Sequence, residues 1–289
     1  MTGKFTLSGF SDEIDEMIPV QFEHLNQLGI RYFEPRGING KNISALSDDE
    51  VLALKEEMDR YGISVSSIGS PIGKIRITDD FEPHMEQLAR TIRTAKMLGT
   101  RFIRMFSFYI PEGKYEEYRD EVMRRLKAMT AMAEEERVIL LHENEKGIYG
   151  DIAPRCLDLL TEVASPCLKA VFDPANFVQC GQKTFPEAYE LLKDHIVYMH
   201  IKDALADGTV VPSGYGEGHV AEILQALSDR GYEGFLSLEP HLGTFKGLEF
   251  LEIKTGPAGQ KSEINKEKST ADTFDIAYCA LMEILRKAE

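Results

Sequence analysis

Basic residues are the first shortage. The 289-residue chain sets 33 Lys and Arg against 48 Asp and Glu, a formal net charge of −15. Such a surface repels phosphate backbones and anionic membranes, so neither nucleic acid nor a membrane is expected as a partner. A small neutral or metal-bound ligand remains compatible. Long apolar runs are missing too. No stretch approaches the ~20 apolar residues of a membrane span, and the N-terminal MTGKFTLSGFSDEID has no apolar core of the signal-peptide kind. Cysteines number four, Cys156, Cys167, Cys180 and Cys279, with no C-x-x-C pair. They read as reduced thiols of a cytoplasmic protein. No G-x-G-x-x-G or Walker loop follows any strand-like run. The GYGEG stretch, Gly214 to Gly218, lacks the Walker lysine and reads as a turn before a helix at Val220.

What is present is an ordinary globular composition, 43% hydrophobic and 28% charged, with one repeated grammar. In LNQLGIRYFE, MDRYGISVSSIG and AKMLGTRFIRMF an amphipathic stretch ends at a glycine and a β-rich run follows. The glycines, Gly29, Gly62 and Gly99, suit left-handed helix caps. Apolar residues recur at helical spacing: Ile18, Phe22, Leu25 and Leu28; Met85, Leu88, Ile92 and Ala95; Tyr118, Val122, Met129 and Met132; Phe274, Ala277, Tyr278 and Leu281. Ser47-Asp48-Asp49-Glu50 is a capping box. Eight strand candidates alternate with these helices: FTLSGF, IRYFE, ISVSSIG, RFIRMF, VILLHE, KAVFD, VYMHIK and FLSLE. Strand–helix alternation implies a parallel sheet, and eight units predict an α/β fold, a single (β/α)8 TIM barrel over residues 1–289. The long irregular stretch near 243–272 reads as the last βα loop, a lid or a subunit contact in a homodimer or homotetramer.

In such a barrel, chemistry collects at the C-terminal ends of the strands. ILLHENE, residues 139–145, ends in His142, Glu143, Asn144 and Glu145. VFDPANF carries Asp173 and Asn176, YMHIKD carries His200, Lys202 and Asp203, and LSLEPHL carries Glu239 and His241. Earlier strands offer Glu34 and Arg36, Ser67 and Ser70, and Arg104. Four adjacent strands thus each present one metal-ligand type, Glu143, Asp173, His200 and Glu239, a mostly oxygen set. It suits one divalent ion, Mn²⁺ first, with Mg²⁺, Co²⁺ or Zn²⁺ also open, and needs no organic cofactor. Such an ion would polarise a sugar carbonyl and its neighbouring hydroxyl. One glutamate would take the proton from the carbon between them to give a cis-enediolate, and the opposite glutamate would return a proton. Blander readings stand beside this one. Glu143 could be a solvated strand end and His200 a core histidine. Lys202 could be paired with Asp203 or Glu239, and Glu34 with Arg36. His142, of opposite parity, would pack behind the barrel.

The set HENE, FDPANF, HIKD and LEPH, in order on consecutive strands, resembles the sugar phosphate isomerase/epimerase superfamily with the xylose isomerase-like TIM barrel. Its relatives include ketose 3-epimerases, hydroxypyruvate isomerase, inosose dehydratase and endonuclease IV. The resemblance implies that Glu143, Asp173, His200 and Glu239 hold one metal ion and that Glu143 and Glu239 are the acid–base pair. It implies an isomerase or epimerase of a sugar, sugar phosphate or related keto-polyol. The sequence departs at two positions: the epimerases have a substrate-contacting His where Asn176 stands and an Arg where Ala206 stands. Asn176, Lys202, Arg104, Glu34 and Ser70 are the expected substrate contacts, with Lys202 and Arg104 able to grip a carboxylate or phosphate. Glu145, Asp203 and His241 are expected to orient the ligands. An inosose-type dehydratase on the same metal site is an alternative. An abasic-site endonuclease needs a trinuclear zinc site, for which seven histidines leave too few at strand ends. A non-catalytic sugar-binding relative is the remaining class.

Overall fold

The computed structural model describes residues 4–242 and 270–287. All eight strand candidates occur as strands: β1 (Lys4–Gly9), β2 (Tyr32–Phe33), β3 (Ser64–Val65), β4 (Phe102–Met105), β5 (Ile139–Glu143), β6 (Leu168–Phe172), β7 (Ile196–Ile201) and β8 (Glu233–Leu238). Six of them form one continuous parallel sheet in the order β1-β8-β7-β6-β5-β4. Strands β2 and β3 pair with each other and complete the turn of the barrel. The Glu34 N–H donates to the Gly9 carbonyl, and Ile68 exchanges backbone hydrogen bonds with Phe102 and Arg104. IRYFE and ISVSSIG shrink to two-residue strands, and Pro35, which has no N–H, follows the first.

Around the barrel run α1 (Ile18–Gln27), α2 (Asp48–Tyr61), α3 (Glu82–Leu98), α4 (Tyr115–Glu136), α5 (Ala153–Val163), the short α6 (Pro174–Gln179) and α7 (Tyr189–Leu192), α8 (Val220–Asp229) and α9 (Thr270–Lys287). The capping box forms at α2, with the Ser47 hydroxyl and Glu50 carboxylate exchanging bonds with each other's backbone N–H. The stripe residues Phe22, Leu25, Leu88, Ile92, Val122, Met129, Phe274 and Leu281 are buried. They pack on the outward-facing strand residues Leu140, Phe172, Met199, Leu236 and Leu238. The late loop expected near 243–272 lies outside the described residues except for Thr270, Ala271 and Asp272, which begin α9.

Strand parity then decides what faces inward. Leu141, Val171 and Tyr198 form a small apolar plug inside the barrel. Two residues further along the same strands come Glu143, Asp173 and His200, which therefore rise above that plug into one buried layer.

The loop leaving β3 is fastened to the chain that follows β4 and to α3. Gly73 has φ +87°, and a Cβ there would fall 2.0 Å from the Phe106 carbonyl oxygen. Its N–H donates to His84 Nε2 at 2.7 Å. Burial, with the Arg125 charge nearby, pushes His84 down to about 4, so the ring stays a neutral acceptor. Gly73→Ala is expected to cost about 3 kcal/mol or more, because it combines a backbone clash with a positive φ. Urea unfolding checks this, and a midpoint equal to wild type would refute the close approach.

Candidate metal centre and active site

The polar end of ILLHENE divides its work. His142 points outward, 2.9 Å from Ser107 Oγ, and burial pushes it down to about 3. The Asn144 side chain latches β5 to the end of β6, accepting from the Asp173 N–H at 3.0 Å and donating to the Asp173 carbonyl at 2.9 Å. Glu145 pairs with Lys74 at 3.2 Å. Only Glu143 enters the barrel mouth.

There it meets the other three expected ligands. Glu143, Asp173, His200 and Glu239 are all buried, and each offers one ligand atom within 4.8 Å of the others. His200 Nδ1 lies 3.2 Å from Glu143 Oε1, 3.5 Å from Glu239 Oε2 and 3.9 Å from Asp173 Oδ2. Neither ring nitrogen of His200 makes an aligned hydrogen bond, while Asp173 Oδ2 is met by the Lys202 ammonium at 2.9 Å. A buried polar atom without such a bond is costly. Three carboxylates facing one orphaned imidazole nitrogen fit a divalent cation by donor chemistry.

Each glutamate splits its oxygens. Glu143 turns Oε2 to Arg104 at 2.9 Å and Oε1 to the cluster. Glu239 gives Oε1 to Arg36 at 3.2 Å and keeps Oε2 at the cluster. Burial pushes the Glu143 carboxyl up, but the His200 and Arg104 charges outweigh it and bring it down to about 2. Glu239 likewise goes well below the usual carboxylate range, where Lys202 and His241 overcome burial. Asp173 goes the other way. Burial, with Glu239 and Glu143 close by, lifts it to about 7 against the pull of Lys202.

The remaining expected residues fall into two groups. Asn176, Lys202 and Arg104 border the cluster. Asn176 Nδ2 donates to Glu143 Oε1 at 3.1 Å, and Lys202 Nζ lies 2.9 Å from Asp173 Oδ2 and 2.8 Å from Glu239 Oε2. Glu34 and Ser70 stand away from the barrel mouth. Ser70 donates to the Arg104 carbonyl. Glu34 lies beneath His200 with its Oε2 3.3 Å from Nε2, and accepts from Tyr198 Oη and Ser237 Oγ at 2.8 and 2.7 Å. A carboxylate behind a histidine fixes the ring's orientation. The alternative Glu34–Arg36 pair does not form, because Arg36 reaches across to Asp12, Glu13 and Glu239. His241 contacts Glu239 Oε1 at 3.4 Å. Ala206 is exposed in the turn of a small hairpin. Sequence patterns gave no signal for Glu13 or Tyr198 as supports of the site, and marked Asn144 only as a polar strand end without a role.

Asp203 turns out to be a loop organiser. Its carboxylate accepts from the N–H groups of Gly214, Gly216 and Gly218 at 2.9, 3.1 and 2.7 Å, which explains the GYGEG stretch. A Cβ at Gly216 would lie 2.3 Å from Asp203 Oδ1.

The family model for the xylose isomerase-like TIM barrel matches residues 22–254. The chain belongs to this family. No curated protein matches the sequence at a significant level. Among solved structures, this xylose isomerase-like barrel is similar to the IOLI protein with a bound zinc atom, at TM-score 0.73 and 15% identity over 99% of each chain. It is similar to the probable 3-DHS dehydratase AsbF from Bacillus anthracis, at TM-score 0.70 and 18% identity, covering 96% of this chain and 98% of that one. It is also similar to the 3-keto-D-glucoside 4-epimerase YcjR from E. coli, at TM-score 0.69 and 14% identity, covering 98% and 99%. Likeness at such identities is likeness of fold. Among the described residues no helix is long and apolar enough to cross a membrane.

Removing the Asp203 carboxylate should loosen one rim of this site. Asp203→Ala is expected to lower stability by about 2–3 kcal/mol, the scale of hydrogen bonds to a charged acceptor. Amide exchange at Gly214, Gly216 and Gly218 should speed up while exchange in β7 stays slow. Unchanged exchange at those glycines would refute the organising role.

Proposed function

We propose that this protein is a divalent-metal-dependent isomerase or epimerase of a sugar, sugar phosphate or related keto-polyol. Glu143, Asp173, His200 and Glu239 would hold one ion, with manganese the first choice among Mn²⁺, Mg²⁺, Co²⁺ and Zn²⁺. The observation that carries this reading is the split of the two glutamates, each with one oxygen on a buried arginine and the other at the cluster. When bound, the ion supplies Lewis-acid polarisation of the substrate's carbonyl. Glu143 and Glu239 approach from different strands, so they can address opposite faces of one carbon. Their carboxyls lie below the usual range, so both are ionised, and the one that acts as base carries no proton when the substrate arrives. Arg104 and Arg36 keep them aimed. Asn176 and Lys202 line the same space and are the candidates for contact with substrate oxygens. A dehydratase on the same site is the second reading. The likeness to the probable dehydratase AsbF supports it, and it would use the same first proton abstraction.

Metal analysis by mass spectrometry tests this reading first. Wild type should carry about one equivalent of a divalent ion and Glu143→Gln/Glu239→Gln little, since ligand loss removes charge and donor together. Either single Gln variant should lose about 10²–10⁴-fold in proton exchange between a ketose substrate and solvent, the range of a positioned acid or base. Full exchange in either single variant would defeat the acid–base assignment. Two or three zinc ions per chain would point to nuclease-like chemistry instead.

A further inference from the structure

The quartet already contains a cation of its own. Lys202 lies two residues beyond His200 on the same inward face and is 4% exposed. Its ammonium sits 2.9 Å from Asp173 Oδ2 and 2.8 Å from Glu239 Oε2. These are the same two oxygens that face His200 Nδ1. An ion held by the quartet and the Lys202 ammonium would therefore share both oxygens. Two positive charges that close, in a site that screens little, repel by far more than thermal energy.

Resting on the metal-dependent reading above, we infer that Lys202 is a built-in competitor for the metal that becomes an anion-binding group once the metal is loaded. Before loading it neutralises Asp173 and Glu239, which would otherwise repel each other in a buried layer. On loading it gives up both oxygens. A buried ammonium then needs another counter-charge. The neighbouring carboxylates are engaged, Glu143 by Arg104 and Glu145 by Lys74. The substrate is left to supply it, so the loaded site favours a sugar derivative bearing a carboxylate or phosphate, whose oxygens an ammonium binds as a point charge.

Titration of chelator-stripped protein with Mn²⁺ alone tests the first half, with Lys202→Met and Lys202→Gln beside wild type. Both variants should bind Mn²⁺ about tenfold or more tightly than wild type, because a competing charge is gone. Their metal-free forms should melt lower than wild type, and Mn²⁺ should restore most of the loss. Binding equal to or weaker than wild type, or an equal loss of melting temperature with and without Mn²⁺, would overturn the competitor role and leave Lys202 a structural residue. Inorganic phosphate titrated onto Mn²⁺-loaded protein tests the second half. Wild type should bind it and Lys202→Met should not; equal binding by both would overturn the anion-binding role. If neither wild type nor the variants bind any divalent ion, the metal-dependent reading itself falls.

Discussion

Everything at the mouth of this barrel depends on keeping three carboxylates, Glu143, Asp173 and Glu239, buried within one small layer. Burial penalises each charge, and mutual repulsion adds to it. The fold answers with cations placed from behind and beside. Arg104 and Arg36 take the rear oxygen of each glutamate, and Lys202 bridges Asp173 and Glu239. The two arginines also lie over the ring of Phe10, with their guanidinium carbons 5.3 and 4.5 Å from its centre. A single aromatic from the end of β1 thus braces both cations that aim the acid–base candidates, and its edge also meets the His200 ring.

The supports are built from different kinds of residue at different depths. Beneath the layer, Glu34 receives Tyr198 and Ser237 and backs His200, so the imidazole is set by a network that begins inside the barrel. Between strands, Asn144 pairs with the backbone of Asp173 where the sheet has run out, which holds the ends of β5 and β6 in register. At the rim, Asp203 gathers the glycines of the next loop. Rigid strand ends carry the reactive groups, and loops are tied down around them. This division holds the buried side chains of the layer at fixed distances.

The family assignment and the charge layout agree on the scale of the ligand. A small polyhydroxy compound offers the oxygens that an open, mostly oxygen-lined cation site and flanking amide and ammonium groups can meet. The chain's strong negative charge argues against a polyanionic partner.

Much of this was legible in the residues themselves. Eight β-rich runs alternating with helical stripes led to the barrel, because apolar periodicity depends on the chain alone. The quartet was named from ligand-type residues at the ends of four adjacent strands, and the fold brings those four side chains together. Other features belonged to tertiary structure. Arg36 pairs with Asp12, Glu13 and Glu239, and Glu34 lies behind His200. Asp203 holds a loop, not a ligand. Ser70 is engaged with a neighbouring backbone carbonyl. Parity tells which face a side chain takes, but not which partner from another strand arrives there. That choice rests on the closure of the barrel, which brings β1, β2 and β8 together across some two hundred residues of chain, where no local pattern can reach.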